Sequence, residues 1–138
     1  MWNGTAQRRV ETPVRVRLSC RLVSMREIQL FLFALQKLCE LQLRSQPLPP
    51  LYASGVRYQR EPRGQEDWQS ARETYKRRAG DCEDLAAWRA AELRVSGYDP
   101  RATAIIKRIR PGLIHCLVLR GNGMLEDPSK VLGMRGKG

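Results

Sequence analysis

The sequence predicts an α+β fold in which a helix headed by a cysteine packs on a small antiparallel sheet, with an additional N-terminal strand and helix. Three observations predict it. Two stretches, residues 25–44 and 82–96, carry helix-start residues followed by apolar positions at helical spacing. Residues 102–127 read instead as strands joined by turns at Pro111 and Gly112 and at Gly121, Asn122 and Gly123. The chain has 138 residues and a mass of 15.8 kDa, which suits one domain with one core.

Residues 1–13 are polar and end in Pro13, as a loose arm does. Val14, Val16, Leu18, Cys20 and Leu22 then alternate with polar residues, the signal of a half-buried strand. Ser24 and Glu27 form a capping box that opens a helix running to about Arg44. Its inner stripe is Ile28, Phe31, Leu32, Leu35, Leu38, Cys39 and Gln42. Leu30, Phe33 and Leu41 widen that stripe, so this helix is expected to be central or covered on two sides. Residues 14–46 are therefore the N-terminal strand and helix, residues 47–134 the core, and residues 135–138 a tail.

Residues 47–67 form a connector with Pro47, Pro49 and Pro50 early in it, and loops of this length are often functional. Leu51, Tyr52, Val56 and Tyr58 line a groove there or pin the connector to the core. A second helix is expected from Asp67, with Trp68, Ala71 and Tyr75 on one face and a break at Ala79 and Gly80. Asp81 can cap a third helix from Cys82 to about Ser96, and Gly97 suits its C-terminal stop. Residues 102–109 and 113–119 read as strands. A short strand over 124–127 is ended by Pro128, and a Gly- and Lys-rich tail follows.

Net charge is +11, from 25 basic and 14 acidic residues, spread over both halves of the chain rather than gathered in a tail. The longest local run is Lys76, Arg77 and Arg78, with Lys107, Arg108 and Arg110 further on. An anionic partner, including weak contact with nucleic acid, stands against an ordinary Arg-rich surface. The single histidine excludes mechanisms that need two, and zinc sites built on several. No stretch approaches the ~20 apolar residues of a membrane span. The N-terminus lacks the apolar core of a signal peptide, so the expected location is the cytoplasm. Cys20, Cys39, Cys82 and Cys116 form no CxxC pair, and a reducing compartment favours free thiols. Cys20 and Cys39 fall on apolar faces and read as core.

The run Gly80, Asp81, Cys82, Glu83, Asp84, Leu85 and Ala86 carries the chemistry. It places Cys82 in the first turn of a helix, where unpaired amides and the helix dipole favour thiolate. The Cys82 backbone N–H is then available to a developing oxyanion, and Gly80 leaves room for a substrate carbonyl. His115 lies mid-strand, and Asp127 sits on the next strand across a tight turn. Thiolate, imidazole and a carboxylate that fixes the tautomer make a nucleophilic triad. Asp81, Glu83 and Asp84 work against it by raising the thiol pKa. The contacts with His115 and the helix end are expected to outweigh them. The same carboxylates offer too few oxygens for calcium, and no metal or cofactor is expected. Strand alternation points Cys116 away from His115, into the core.

These residues resemble the transglutaminase-like superfamily. The Gly80–Ala86 run, His115, Asp127 and Pro128 look like its core, and bacterial transglutaminase-like cysteine proteinases carry a similar Gly-Asp-Cys-Glu-Asp run. The longer pattern is closer to small transglutaminase-like proteins encoded in bacteriophage genomes. It rests on residues 51–58, Glu66, Asp67 and Trp68, residues 80–93, and residues 126–134. The resemblance implies a papain/transglutaminase-like core with Cys82 as nucleophile, His115 as base and acid, and Asp127 as orienter. An upstream aromatic often completes the oxyanion hole, and Trp68 and Tyr75 are the candidates. The implied activity is thiol acyl transfer on a protein or peptide, with protease or amidase action as the default. The rival expectation is a non-catalytic virion protein at a head–tail junction or capsid, using the same fold to bind other virion proteins.

Overall fold

A computed structural model describes residues 15–17, 24–61 and 67–135. In chain order the elements are β1 (Arg15–Arg17), α1 (Met25–Ser45), a 3-10 turn (Leu51–Ala53), β2 (Arg57–Tyr58), β3 (Asp67–Gln69) and α2 (Ala71–Arg77). Then follow β4 (Ala79–Gly80), α3 (Cys82–Val95), β5 (Thr103–Arg110), β6 (Leu113–Leu119), β7 (Leu125–Glu126) and α4 (Pro128–Val131). Strands β5, β6 and β7 form an antiparallel sheet. β1 pairs antiparallel with β3, and β2 pairs parallel with β4. The architecture is α+β, as expected.

Helix α1 begins where its capping box requires. Ser24 Oγ accepts the Glu27 amide at 3.1 Å, and Glu27 returns a bond to the Ser24 amide at 3.0 Å. Leu32, Leu35, Cys39 and Leu43 are buried. So are Gln36 and Glu40, which a count of apolar positions does not anticipate. The outer edge of β5 explains Gln36. Gln36 accepts the Ala104 amide at 2.8 Å, and Gln29 accepts the Ile106 amide and donates to the Ala104 carbonyl, each at 2.9 Å. The helix thus caps a strand edge that would otherwise offer unpaired groups. That choice of face turns Leu30, Phe31, Phe33 and Leu41 to the surface, with Leu30 and Leu41 more than 60% exposed at 62% and 65%. The expectation that α1 is central or covered on two sides is therefore corrected.

Helix α3 is the central one. Leu85, Ala86, Ala87, Trp88, Ala90, Ala91 and Leu93 are all buried, because α1 packs on one side and the β5–β6 sheet on the other. The alanines permit that close approach, and Trp88 fills the remaining volume. Its truncation to alanine would cost about 3–5 kcal/mol.

Two further expectations change. Residues 67–69 are strand, not helix, since they pair with β1 in the register Val16 to Trp68. The helix starts only after Ser70, whose side chain accepts the Glu73 amide. Arg78, in the left-handed region at φ 58°, ends it. At the other end of the chain, residues 128–131 are helix rather than tail, because Asp127 caps them and Pro128 takes the first helical position. Of the strand expected over 14–22, residues 15–17 are seen as strand. Residues 1–14, 18–23, 62–66 and 136–138, and with them Cys20, lie outside the described residues.

Candidate active site

The head of α3 is built by carboxylates. Asp81 has extended backbone, and its Oδ1 accepts the Cys82 amide at 2.6 Å. Asp81 Oδ2 accepts the Glu61 amide at 2.9 Å, tying the connector to the helix start. Asp84 answers from the third helical position by accepting the Asp81 amide at 3.1 Å. It is fully buried and also accepts the Gln69 amide at 2.7 Å and Gln69 Nε2 at 3.1 Å. Burial pushes its carboxyl up to about 8, against the pull of those bonds from Gln69 and Asp81. The cap has a consequence for catalysis: the Cys82 N–H expected to face an oxyanion is held by Asp81 instead. The space at Gly80 is also taken. A Cβ there would stand 3.0 Å from Thr74 Cγ2 and 3.1 Å from Asp84 Cβ, so the glycine serves packing rather than substrate approach.

His115 lies on β6 opposite Lys107 of β5. Its Nε2 stands 3.0 Å from Asp127 Oδ2, which leaves Nδ1 as the nitrogen free for the cysteine. Both side chains are partly exposed, at 16% and 19%. The register pairs Val118 with Glu126, so Asp127 follows β7 at the level of Leu117. His115 is two residues along the same face, within diagonal reach. A Cys82 thiolate favours the imidazolium: His115 is pushed up to about 9, first by its interaction with Cys82, while burial opposes and Asp127 adds. Beside the neutral thiol the ring loses that support and can serve as base.

Cys82 interacts with His115 and also with Cys116. The second contact adds to the expectation that Cys116 points away from His115 into the core. Cys116 is buried in the core as expected. Yet β7 pairs only with Val118 and Leu119, leaving β6 an open edge at residues 113–116 among the described residues. The thiol pKa is corrected. Cys82 is pushed well above its ordinary value, first by the hydrogen bond with Cys116 and then by burial, with His115 pulling the other way. The resting nucleophile is a thiol, not the thiolate that a helix N-terminus alone would favour. Glu83 is buried, and the Cys82 sulfur lies 3.6 Å from its Oε1. Burial and neighbouring negative charge hold the Glu83 carboxyl well above the usual range.

Trp68 is 4% exposed and belongs to the core, while Tyr75 meets Trp88 edge-on and carries the Arg78 guanidinium on its face. Tyr58 is a further aromatic at the head of α3. It pairs with Gly80 across β2 and β4, and its phenol, pushed up to about 12 chiefly by burial, also feels the charges of Asp81 and Cys82. In the sequence Tyr58 is a connector residue that lines a groove or pins the connector, with no role of its own. Its parallel pairing with β4 was the missing information.

A charged network supports the strand that precedes Asp127. Glu126 accepts from Arg89 Nε at 2.6 Å, from Arg120 Nη1 at 2.8 Å and from the Tyr52 hydroxyl. Arg89 also bonds Glu92 at 2.7 Å, and Glu92 accepts the Leu51 amide at 2.9 Å. Helix α3, which bears Cys82, is thus tied to β7, which precedes Asp127. No family model, curated protein or solved structure matches this chain.

Proposed function

We propose that this chain is a thiol acyl-transfer enzyme of the transglutaminase-like class, acting as a protease or amidase on a protein or peptide. The observation that carries the reading is one relationship. Cys82 heads α3 beside His115, and the other ring nitrogen of His115 is held 3.0 Å from Asp127. The helix packed on an antiparallel sheet agrees with the papain/transglutaminase-like core that the sequence resembles.

In this reading His115 Nδ1 takes the Cys82 proton as the sulfur attacks a carbonyl carbon. The C–S bond forms and the carbonyl oxygen becomes an oxyanion. Collapse breaks the C–N bond, and the leaving amine departs with the proton from His115. Water then attacks the thioester with His115 as base, which releases the acid and restores the thiol. In this reading the Tyr58 hydroxyl is the side-chain donor for the oxyanion, and the Cys82 amide joins it once Asp81 turns aside.

The test is hydrolysis of a denatured protein substrate, with and without a fluorescent primary amine. Peptide cleavage that Cys82→Ala abolishes supports the reading. Amine incorporation would mark transamidation instead, and absence of both under reducing conditions overturns it. The rival reading is a non-catalytic virion component. It is favoured by the exposed apolar side chains Leu30, Phe33 and Leu41 on α1, which suit a docking surface. In that case Lys107, Arg108 and Arg110, exposed on β5, would add weak contact with nucleic acid. Among the described residues no helix is long and apolar enough to cross a membrane.

A further inference from the structure

We infer that Cys82, Glu83 and Cys116 form a binding site for a zinc-class divalent cation that takes the nucleophile out of use. The ligand atoms of these three side chains lie within 4.8 Å of one another. They come from two elements that the core already fixes, the head of α3 and the open edge of β6. Ligand atoms around a tetrahedral zinc stand about 3.5–4 Å apart, so closing on a cation needs a movement of only about 1 Å.

A second observation also points to a cation. Glu83 is 8% exposed, and its Oε1 is turned onto the Cys82 sulfur. Among the described residues no lysine or arginine is hydrogen-bonded or ion-paired to it. A buried carboxyl without a cationic partner is costly to ionise. A divalent cation would displace the protons of Glu83 and both sulfurs and supply the countercharge for all three.

The donor set selects the metal. Two thiolates and one carboxylate suit zinc, whose structural and catalytic sites use these ligands. Calcium needs six to eight oxygens and magnesium keeps to hard ligands, so neither fits. Three protein ligands would leave a fourth position to water or another small ligand. Binding ties up the Cys82 sulfur and the chain becomes reversibly inactive. This last consequence rests on the function proposed above, but the binding itself does not.

Cobalt(II) titration of the full, metal-free, reduced chain tests the inference. The expected result is a sulfur-to-cobalt charge-transfer absorption that saturates at one equivalent and is bleached by zinc. Cys82→Ala and Cys116→Ala should abolish it, and Cys39→Ala should leave it. Glu83→Gln should weaken binding beyond the ~10–100-fold that losing a residue supporting a ligand costs, and it decides the matter if Cys116→Ala does not fold. No thiolate–cobalt band, or a band that survives both Cys116→Ala and Glu83→Gln, overturns the site. A chain that binds cobalt this way yet transfers no acyl group keeps the site and loses the enzymatic reading.

Discussion

His115 Nε2 lies 3.0 Å from Asp127 Oδ2, while Asp127 Oδ1 accepts the Lys130 amide at 3.3 Å and so caps α4. One carboxylate orients the histidine and starts a helix. The cap fixes the carboxylate, with Pro128 presetting the next residue's backbone. The imidazole orientation is therefore a product of local folding at residues 127–131 and does not depend on a bound substrate.

Two substitutions separate those roles. Asp127→Asn keeps an oxygen for the cap but offers His115 Nε2 a donor, which forces the ring proton onto Nδ1, facing Cys82. Acyl transfer should fall by on the order of 10³–10⁴-fold with little change in Tm. Asp127→Ala should lose activity similarly and also about 1 kcal/mol of stability from the lost cap. Rates and thermal melts of the two variants check this. Equal Tm losses would mean the cap contributes nothing.

Gly80→Ala should damage the site through packing. Its Cβ would crowd Thr74 Cγ2 at 3.0 Å, Asp84 Cβ at 3.1 Å and Leu85 Cδ2 at 3.3 Å, all at or near the head of α3. Overpacking of this kind costs about 1–3 kcal/mol. Chemical denaturation measures the loss. A neutral result would show that the α3 head yields easily.

Cys116→Ala should make Cys82 more reactive at neutral pH. The Cys116 hydrogen bond is the largest cause that raises the Cys82 pKa, so removing it lowers that pKa. Thiolate appears as pH rises through the pKa, and alkylation by iodoacetamide should therefore begin at lower pH in the variant than in the wild type. The experiment is run with a chelator and followed by peptide mass mapping of Cys82. An unchanged profile would mean that burial, not Cys116, sets the thiol.

Arg89→Ala should loosen the tie between α3 and β7. It removes charged bonds of 2.6 Å to Glu126 and 2.7 Å to Glu92. The Arg89 side chain is 18% exposed, so the loss should be about 2 kcal/mol. A fall in kcat beyond that of a surface control variant is expected, since the Asp127 position depends on β7. Unaltered kcat with lowered Tm would confine the network to stability.

Much of this was legible in the sequence because it is local. The Ser24 and Asp81 caps, the strand over 113–119 and the turn at residues 121–123 are written in neighbouring residues, and the structure reproduces them. The His115–Asp127 pair was legible because a short turn joins their strands. What was hidden depends on distant chain segments. Residues 67–69 look helical until β1 pairs with them, and Gln29 and Gln36 gain a buried role only against the edge of β5. Cys116 meets Cys82 because α3 packs against β6, a contact between segments distant in the chain.

The most direct test of the central claim is the acylation of Cys82 by an activated ester, followed by intact mass and peptide mapping in the wild type and in His115→Ala. The account predicts one acyl group on Cys82, transferred onward to water, and a rate on the order of 10²–10⁴-fold lower without the histidine. Acylation of Cys82 at the same rate with and without His115, or spread evenly over the other cysteines, would contradict it.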